Sequence, residues 1–189
     1  MGTRGEKVWE LPGYVLLERI ALGGRGEVYL AREGGDAGPL VAVKVLRPED
    51  ASRADRVEAF LDEVAISTQL IHPNIVRVYH GDVHDGLPYL VMEHVDGLTL
   101  WDVNERARMI DKRVPLELCA SMVEKVADAL SYAHELRDHQ GQPMNLVHRD
   151  VSAVNVMATF DGAIKLIDFG IARFTLRNQQ TAPGIIKGK

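Results

Sequence analysis

The segment "LVHRDVSAVN", residues 146–155, decides the interpretation of this chain. Between apolar residues it gathers four polar side chains, those of His148, Arg149, Asp150 and Asn155. A carboxylate such as that of Asp150 can accept a proton, and an amide oxygen such as that of Asn155 can ligate a hard cation. The two residues lie five positions apart on a predicted loop, and this arrangement indicates a site that handles phosphate.

Two further motifs lie far from this segment. Residues 22–28, "LGGRGEV", connect two predicted strands, and glycines there would let backbone N–H groups approach a phosphate closely. The same glycines also suit a plain turn. Residues 168–170, "DFG", place a carboxylate directly after an apolar strand, with a glycine behind it. An aspartate in that place is also compatible with a simple strand-end cap.

A lysine closes the apolar strand "VAVK", residues 41–44. Alternation along the strand places Lys44 on a half-buried face, and a buried ammonium needs an anionic partner. Glu63 is the candidate partner, because it borders the apolar face of the next predicted helix. The alternative is a lysine whose ammonium reaches the solvent along its aliphatic stem.

The first half of the chain is predicted to be an antiparallel sheet with one helix. Helical spacing of apolar residues from 52 to 70 predicts the helix, and Ser52 or Asp55 is its expected cap. Asp85 and Gly86 predict a hairpin turn between the last two strands. The predicted strands cover residues 14–20, 27–31, 40–46, 75–80 and 88–95.

After Gly97 the pattern becomes helical. Residues 115–135 carry one apolar stripe, in which Cys119 is predicted to be a buried core residue. Two short strands are predicted further on, with a turn at Asp161–Gly162 between them. The stripe consists of Leu116, Cys119, Val123, Val126 and Leu130, and the two strands cover residues 154–158 and 163–167.

Composition narrows the class of protein. The chain has 189 residues and a formal net charge of −5, whereas a general nucleic-acid binder carries a basic excess, so no nucleic-acid partner is expected. Cys119 is the single cysteine, which excludes an intrachain disulfide. No apolar run approaches the roughly 18 residues of a membrane span, and the first residues lack the apolar core of a signal peptide. These features predict a reduced, cytoplasmic environment without a membrane span in this chain.

The motifs occur in a characteristic order: glycine-rich loop, strand lysine, helix glutamate, His-Arg-Asp with asparagine, then Asp-Phe-Gly. From about residue 13 to residue 189 the chain therefore resembles the protein kinases, in particular bacterial Ser/Thr protein kinases. The resemblance implies an α+β, two-lobed, protein-kinase-like fold, with an antiparallel sheet plus one helix in the N-lobe and an incomplete helical C-lobe. The expected division is a leader over 1–12, the N-lobe over 13–95 and the first part of the C-lobe over 96–189.

The resemblance also implies ATP and Mg²⁺ as cofactors and assigns a role to each motif residue. Lys44 would hold the α- and β-phosphates and pair with Glu63, Asp150 would be the catalytic base, and Asn155 and Asp168 would hold Mg²⁺. The expected nucleotide contacts are Ile20, Ala21, Gly23, Gly24, Gly26, Val28, Ala42, Lys44, Glu93, Val95, Met157 and Asp168, with Met92 as gatekeeper and residues 93–95 as hinge.

Two loop residues would support this site. His148 would hold Asp168 and the loop from behind. Arg149 would bind a phosphorylated activation loop by charge-assisted hydrogen bonds. Thr175 and Thr181 are the candidate acceptors, and ordinary polar loop residues are the alternative.

The sequence departs from the family pattern in three places. Ala21 stands where the first glycine of the phosphate loop is usual, and mild weakening of nucleotide binding is the largest expected effect unless that position needs a positive φ. Ser152 stands where Ser/Thr kinases usually carry a lysine, and losing that charge is expected to slow phosphoryl transfer by roughly two to three decades. The chain ends before any Ala-Pro-Glu, so a fragment that exposes apolar surface on the 115–135 helix is expected.

The first reading is thus a protein kinase domain that transfers the ATP γ-phosphoryl to Ser/Thr hydroxyls of proteins. Ser152 keeps open an alternative, a pseudokinase that binds nucleotide as a regulatory module. A small-molecule phosphotransferase with the same fold fits less well, because "HRD" (148–150) and "HPNIV" (72–76) resemble protein kinases.

Overall fold

The computed structural model describes residues 10–23 and 26–169. The first half forms a five-stranded antiparallel sheet in the order β1-β2-β3-β5-β4, as the strand pattern predicts. The strands are β1 Tyr14–Gly23, β2 Gly26–Glu33, β3 Leu40–Val45, β4 Val78–His84 and β5 Leu87–Glu93. Asp85 and Gly86 connect the last two strands with φ angles of 48° and 77°. Positive φ at both turn residues matches the twist of a two-residue hairpin, which confirms the predicted turn.

The sheet curls until its two edge strands meet at one end. The Tyr14 hydroxyl on β1 is hydrogen-bonded to Nε2 of His80 on β4, at 2.7 Å. Leu11 is 6% exposed and packs into the apolar cluster on this side of the sheet, with Val43 and Val91. Leu11, which falls within the predicted leader over 1–12, thus fills an apolar interior that the curl creates.

Two helices, not one, follow β3. α1 covers Pro48–Ala51 and α2 covers Ala54–Ser67. The Ser52 hydroxyl donates back to the Glu49 carbonyl at 2.9 Å, so Ser52 ends α1 and does not cap the next helix. Arg53 occupies the N-cap of α2 without a side-chain cap bond, so the prediction of Ser52 or Asp55 as the cap is wrong.

α2 lies across β4 and β5 through a separate apolar cluster. Phe60 and Val64 of the helix pack against Val78 and Leu90 of the sheet. A Cβ atom added to Gly81 would lie 2.8 Å from both methyl carbons of Val64 and 2.7 Å from the Tyr89 carbonyl oxygen. The absence of a side chain at Gly81 thus lets α2 approach the sheet closely, and Glu63 precedes Val64 on that helix.

The second half of the described chain adds a small sheet and two helices. The elements are β6 Gly97–Thr99, α3 Leu100–Met109, α4 Leu116–Glu135, β7 Val156–Thr159 and β8 Ile164–Leu166, with the strands in the order β6-β7-β8. Thr99 caps α3, since its hydroxyl accepts the Asp102 N–H at 3.1 Å. None of the helices in the described ranges combines the length and apolar character needed to cross a bilayer.

α4 has an apolar surface that is only partly covered. Ala129 and Ala133 are fully buried. At the N-terminal end of the helix, Leu116 and Val123 are 79% and 67% exposed. Cys119 is half-buried, which corrects the prediction of a buried core residue, because the buried face is displaced toward the C-terminal half of the helix. The expected exposure of apolar surface on this helix is confirmed.

The two sheets are joined by the segment before β4. Leu166 of β8 donates its N–H to the Asn74 carbonyl at 2.8 Å and accepts the Val76 N–H at 2.9 Å. The predicted strand over 75–80 therefore begins late, at Val78, because residues 74–76 bond to the second sheet. These bonds place β8, and hence Asp168 just after it, beneath the N-lobe sheet.

Substituting Gly81 with alanine tests how closely α2 must approach the sheet. We expect Gly81→Ala to lower the free energy of unfolding by about 1–3 kcal/mol, because the new methyl group overpacks against Val64. Urea unfolding measures this cost. In a Val64→Ala background the same substitution should cost less, since the colliding methyl groups are gone; equal costs in both backgrounds would show that α2 is not the element displaced.

Candidate functional site

The site is organised around the ammonium group of Lys44. Lys44 is 5% exposed, and its Nζ donates to Oε1 of Glu63 at 3.0 Å and to Oδ1 of Asp168 at 3.0 Å. Burial acts to lower the pKa of Lys44, but the attraction of Asp168 and Glu63 outweighs it, and the pKa is raised. Lys44 is therefore a buried cation, held by two carboxylates from distant parts of the sequence, and its partner is the predicted Glu63.

The two carboxylates have different environments. The Glu63 side chain is 6% exposed, whereas the Asp168 side chain is 48% exposed. Glu63 thus lies inside the fold, and Asp168 opens toward solvent at the end of β8. A charged ligand can approach the Asp168 side of the group without displacing α2.

His148 anchors the loop that precedes β7. It is 1% exposed, its Nε2 lies 3.0 Å from the Ile167 carbonyl oxygen, and its Nδ1 accepts the Asp150 N–H at 3.3 Å. Burial lowers the pKa of His148, although the Ile167 carbonyl and the nearby carboxylates oppose that shift. These contacts fit a neutral imidazole that carries its proton on Nε2 and donates it to Ile167.

Asn155 joins the Asp150 loop to the segment after β8. Its Nδ2 donates to the Asp150 carbonyl at 2.8 Å, and its own carbonyl accepts the Ile167 N–H at 2.9 Å. Because the amide nitrogen faces the loop, the amide oxygen points away from that carbonyl. The structure therefore holds the segments that carry Asp150, Asn155 and Asp168 in direct contact with each other.

Two residues of this region have unusual backbone angles. Arg149 and Asp168 have φ angles of 63° and 52°, in the left-handed region. Non-glycine residues rarely adopt this conformation, which costs on the order of 1–3 kcal/mol when the surrounding structure imposes it. Such strain is common at functional sites, and here it falls on one predicted cation ligand, Asp168, and on the residue before Asp150.

The described ends of the glycine-rich segment, Gly23 and Gly26, lie next to the C-terminal end of β3. Gly23 pairs with Gly26, and the predicted residue Gly24 lies outside the described residues. Gly26 has a φ of 149°, and a Cβ there would lie 2.4 Å from the Val45 carbonyl oxygen, so no other residue fits without a shift. Ala21 pairs with Val28 and does not have a positive φ, so the backbone there accepts alanine.

The expected adenine contacts are spread over both sheets. Ala42 is 4% exposed and lies opposite Met92 in the sheet register, while Val28 lies opposite Lys44. Val95 is 9% exposed, just after β5. Ile20, on β1, is 47% exposed, and Met157 lies on β7 in the second sheet. Thr175, Thr181 and Gly170 lie outside the described residues.

The donor set suits a hard cation. Asn155 and Asp168 offer oxygen atoms, and Mg²⁺ is usually bound by one or two protein ligands together with substrate phosphates. Within residues 10–23 and 26–169 no group of three His, Cys, Asp or Glu side chains is placed to hold a metal ion. The oxygen atoms of Asn155 and Asp168 are of the type that Mg²⁺ prefers.

Sequence reasoning missed an ion pair beside the predicted hinge. Nζ of Lys165 on β8 lies 2.7 Å and 2.9 Å from the two carboxylate oxygens of Glu93, at the end of β5. Oε2 of Glu93 also accepts the Arg77 N–H at 3.2 Å. The sequence pattern indicates this pair in part, because Lys165 interrupts an apolar strand as Lys44 does. A lysine in such a strand needs an anionic partner.

Comparisons with known proteins agree with this geometry. A family model described as the protein kinase domain matches residues 14–185. The tyrosine-protein kinase MasK of Myxococcus xanthus is 36% identical over 181 residues, which are 93% of this chain and 28% of MasK. The serine/threonine-protein kinase PknB of Mycolicibacterium smegmatis is 37% identical over 167 residues, 85% of this chain and 24% of PknB.

Comparison with solved structures leads to the same family. A crystal structure of the Mycobacterium tuberculosis PknI kinase domain matches with a TM-score of 0.68 and 32% identity, over 89% of this chain and 64% of that chain. The chain thus spans about a quarter of the length of the curated relatives it matches. The family match, the relatives and the fold agree, and the chain belongs to the protein kinase family.

Proposed function

We propose that the chain acts in the cytoplasm as an ATP- and Mg²⁺-dependent kinase domain that transfers the γ-phosphoryl of ATP to Ser/Thr hydroxyls of proteins. The observation that carries this proposal is the bonding of Lys44 to both Glu63 and Asp168 at 3.0 Å. An ammonium fixed beside an exposed carboxylate is suited to hold a phosphate chain together with its cation.

Each polar residue of the site has a task in this proposal. Lys44 binds the α- and β-phosphates, and Glu63 keeps its ammonium in place. Asp150 accepts the proton of the acceptor hydroxyl as that oxygen bonds to the γ-phosphorus and ADP leaves. Asn155 and Asp168 hold Mg²⁺, which when bound neutralises charge on the phosphates.

The remaining residues position the nucleotide and the loop. Ile20, Val28, Ala42 and Met157 contact the adenine, the backbone of residues 93–95 hydrogen-bonds its edge, and the turn with Gly23 and Gly26 covers the phosphates. His148 holds the Asp150 loop against Ile167. The choice of Ser/Thr acceptors rests on the names of relatives such as PknB, whereas MasK is named as a tyrosine kinase.

The first test separates nucleotide binding from phosphoryl transfer. Mg-ATP at 100 times its Kd should stabilise the folded protein by about 2.7 kcal/mol, and labelled ATP should transfer its phosphoryl group to a generic protein acceptor. Asp150→Asn should retain the stabilisation and lose the transfer, because it removes the proton acceptor and keeps the side-chain shape. Stabilisation with no Asp150-dependent transfer would instead identify a nucleotide-binding module.

A second prediction concerns Ser152. The Ser152→Lys variant places a cation two residues after Asp150. It should transfer phosphoryl groups roughly tenfold to a thousandfold faster than wild type, because the lysine supplies positive charge at the transferred group. Single-turnover transfer measures this step, and Ser152→Met is the control of similar length without charge. Equal rates for the lysine and methionine variants would show that the missing charge does not limit the reaction.

A third prediction concerns the neutral state of His148. Folding lowers the pKa of His148. The contribution of neutral His148 to the free energy of unfolding is therefore complete at pH values above its ordinary pKa of 6.5, and this contribution is lost as the pH falls below 6.5. His148→Phe should cost about 1–3 kcal/mol of unfolding free energy at neutral pH through lost hydrogen bonds. Urea unfolding at pH 7.5 and 5.5 checks the sign: the difference between wild type and variant should shrink at the lower pH, and a constant difference would contradict it.

A further inference from the structure

Exposed apolar side chains lie beside Asp150, the proton acceptor of the proposed function. Val151 follows Asp150 directly and is 48% exposed, and Val154, also 48% exposed, lies three residues further along the chain. Ala153, between them, is exposed as well. Single exposed apolar residues are ordinary on a protein surface, whereas several on one short segment indicate a surface that contacts a ligand or a partner.

Hydrogen bonds fold this segment into a compact turn. Asn155 donates its backbone N–H to the Ser152 carbonyl at 2.9 Å, and its side-chain amide donates to the Asp150 carbonyl at 2.8 Å. These two bonds hold both ends of the turn together. Val151 and Val154 therefore stay close to Asp150.

Helix α3 adds an aromatic side chain to the same surface. Trp101 donates its N–H to the Ala153 carbonyl at 3.0 Å, so its backbone adjoins the peptide group that joins Ala153 to Val154. Trp101 is 52% exposed. We call this surface the loop patch, and it consists of Trp101, Val151, Ala153 and Val154.

The loop patch carries no charge of its own. Residues 151–160 include no Asp, Glu, Lys or Arg. On α3, the carboxylate of Asp102 accepts the Thr99 hydroxyl at 2.6 Å, within the cap of that helix. An apolar side chain would gain from burial on the loop patch, whereas a charged one would lose its hydration there without a partner in the patch.

An acceptor peptide bound at Asp150 lies within reach of the loop patch. In the proposed function the acceptor hydroxyl comes within hydrogen-bond distance of Asp150. An extended chain spans about 3.3–3.6 Å per residue, so side chains up to three positions from the acceptor lie within roughly 11 Å of it. The neighbours of the acceptor residue therefore meet the loop that carries Val151 and Val154.

We propose that the loop patch selects protein acceptors in which the Ser or Thr has an apolar side chain within three positions. This inference rests on the proposed function and adds the class of acceptor sequence for the same site. Trp101 and Val154 contact that apolar side chain and determine the choice of acceptor. They take no part in the transfer of the phosphoryl group.

Four peptides that differ only beside a single serine test this proposal. The residue placed within three positions of the serine is leucine, asparagine, lysine or glutamate. With labelled ATP, kcat/KM should be roughly three- to thirtyfold higher for the leucine peptide than for the asparagine peptide, because asparagine has a similar size but gains little from burial on an apolar surface. The lysine and glutamate peptides should have values no higher than the asparagine peptide.

Substitutions in the loop patch should change these ratios, which cancel any general loss of activity in a variant. Trp101→Ala and Val154→Thr should each lower the ratio of leucine to asparagine. Val154→Glu should raise the ratio of lysine to asparagine, because the new carboxylate attracts the lysine ammonium. Val83→Glu is the matched control and should keep the wild-type ratios, since Val83 is 43% exposed but lies on β4 in the five-stranded sheet.

The outcomes separate this inference from the proposed function. If wild type phosphorylates neither these peptides nor a generic protein acceptor, the proposed function fails and the inference fails with it. If wild type phosphorylates the generic acceptor but does not favour the leucine peptide, only the inference is overturned. Unchanged ratios in all three patch variants, or the same changes in Val83→Glu, would also overturn it, because the preference would then arise elsewhere on the protein.

Discussion

The structure depends on one buried ammonium group. Lys44 lies inside the fold with two carboxylates at 3.0 Å, one from α2 and one from the end of β8. A buried charge is tolerated only when it is paired, and removal of one partner leaves a charge that is costly to keep out of water. The positions of β3, α2 and the segment after β8 are therefore interdependent, because each supplies a member of the same group.

A second set of polar contacts completes this connection just beyond the C-terminal end of α2. The Arg77 guanidinium donates to the Thr68 and Leu70 carbonyls, just after α2 ends. The Arg77 N–H donates to Glu93, and Glu93 pairs with Lys165 on β8. Asp168 follows β8 in the sequence and forms an ion pair with Lys44. α2 is thus held in its C-terminal half, at Glu63 and just after Ser67, by contacts that lead to β8, and a shift of this part of the helix must disturb both Glu93 and the site.

The candidate residues and one support, His148, follow from motifs in the sequence, whereas other supports do not. Lys44, Glu63, Asp150, Asn155 and Asp168 belong to ordered motifs, and the structure brings the segments that carry them together. Leu11 fills an interior that exists only because the sheet curls, and local pattern does not report curl. The pairing of Lys165 with Glu93 joins residues 72 positions apart. Its need for a partner was visible in the sequence, but the identity of that partner depends on how the two sheets meet.

Every contact of the site described above is made by groups of the protein itself. Arg149 and Asp168 keep left-handed backbone angles because His148, Asn155 and Lys44 hold the residues around them. Charge stabilisation is most effective when such groups need no rearrangement during the reaction. An ammonium has three N–H donors, and the two carboxylates use two of those on Lys44. Within the described residues these are the hydrogen bonds of Lys44, and in the proposed function its third donor serves the phosphates.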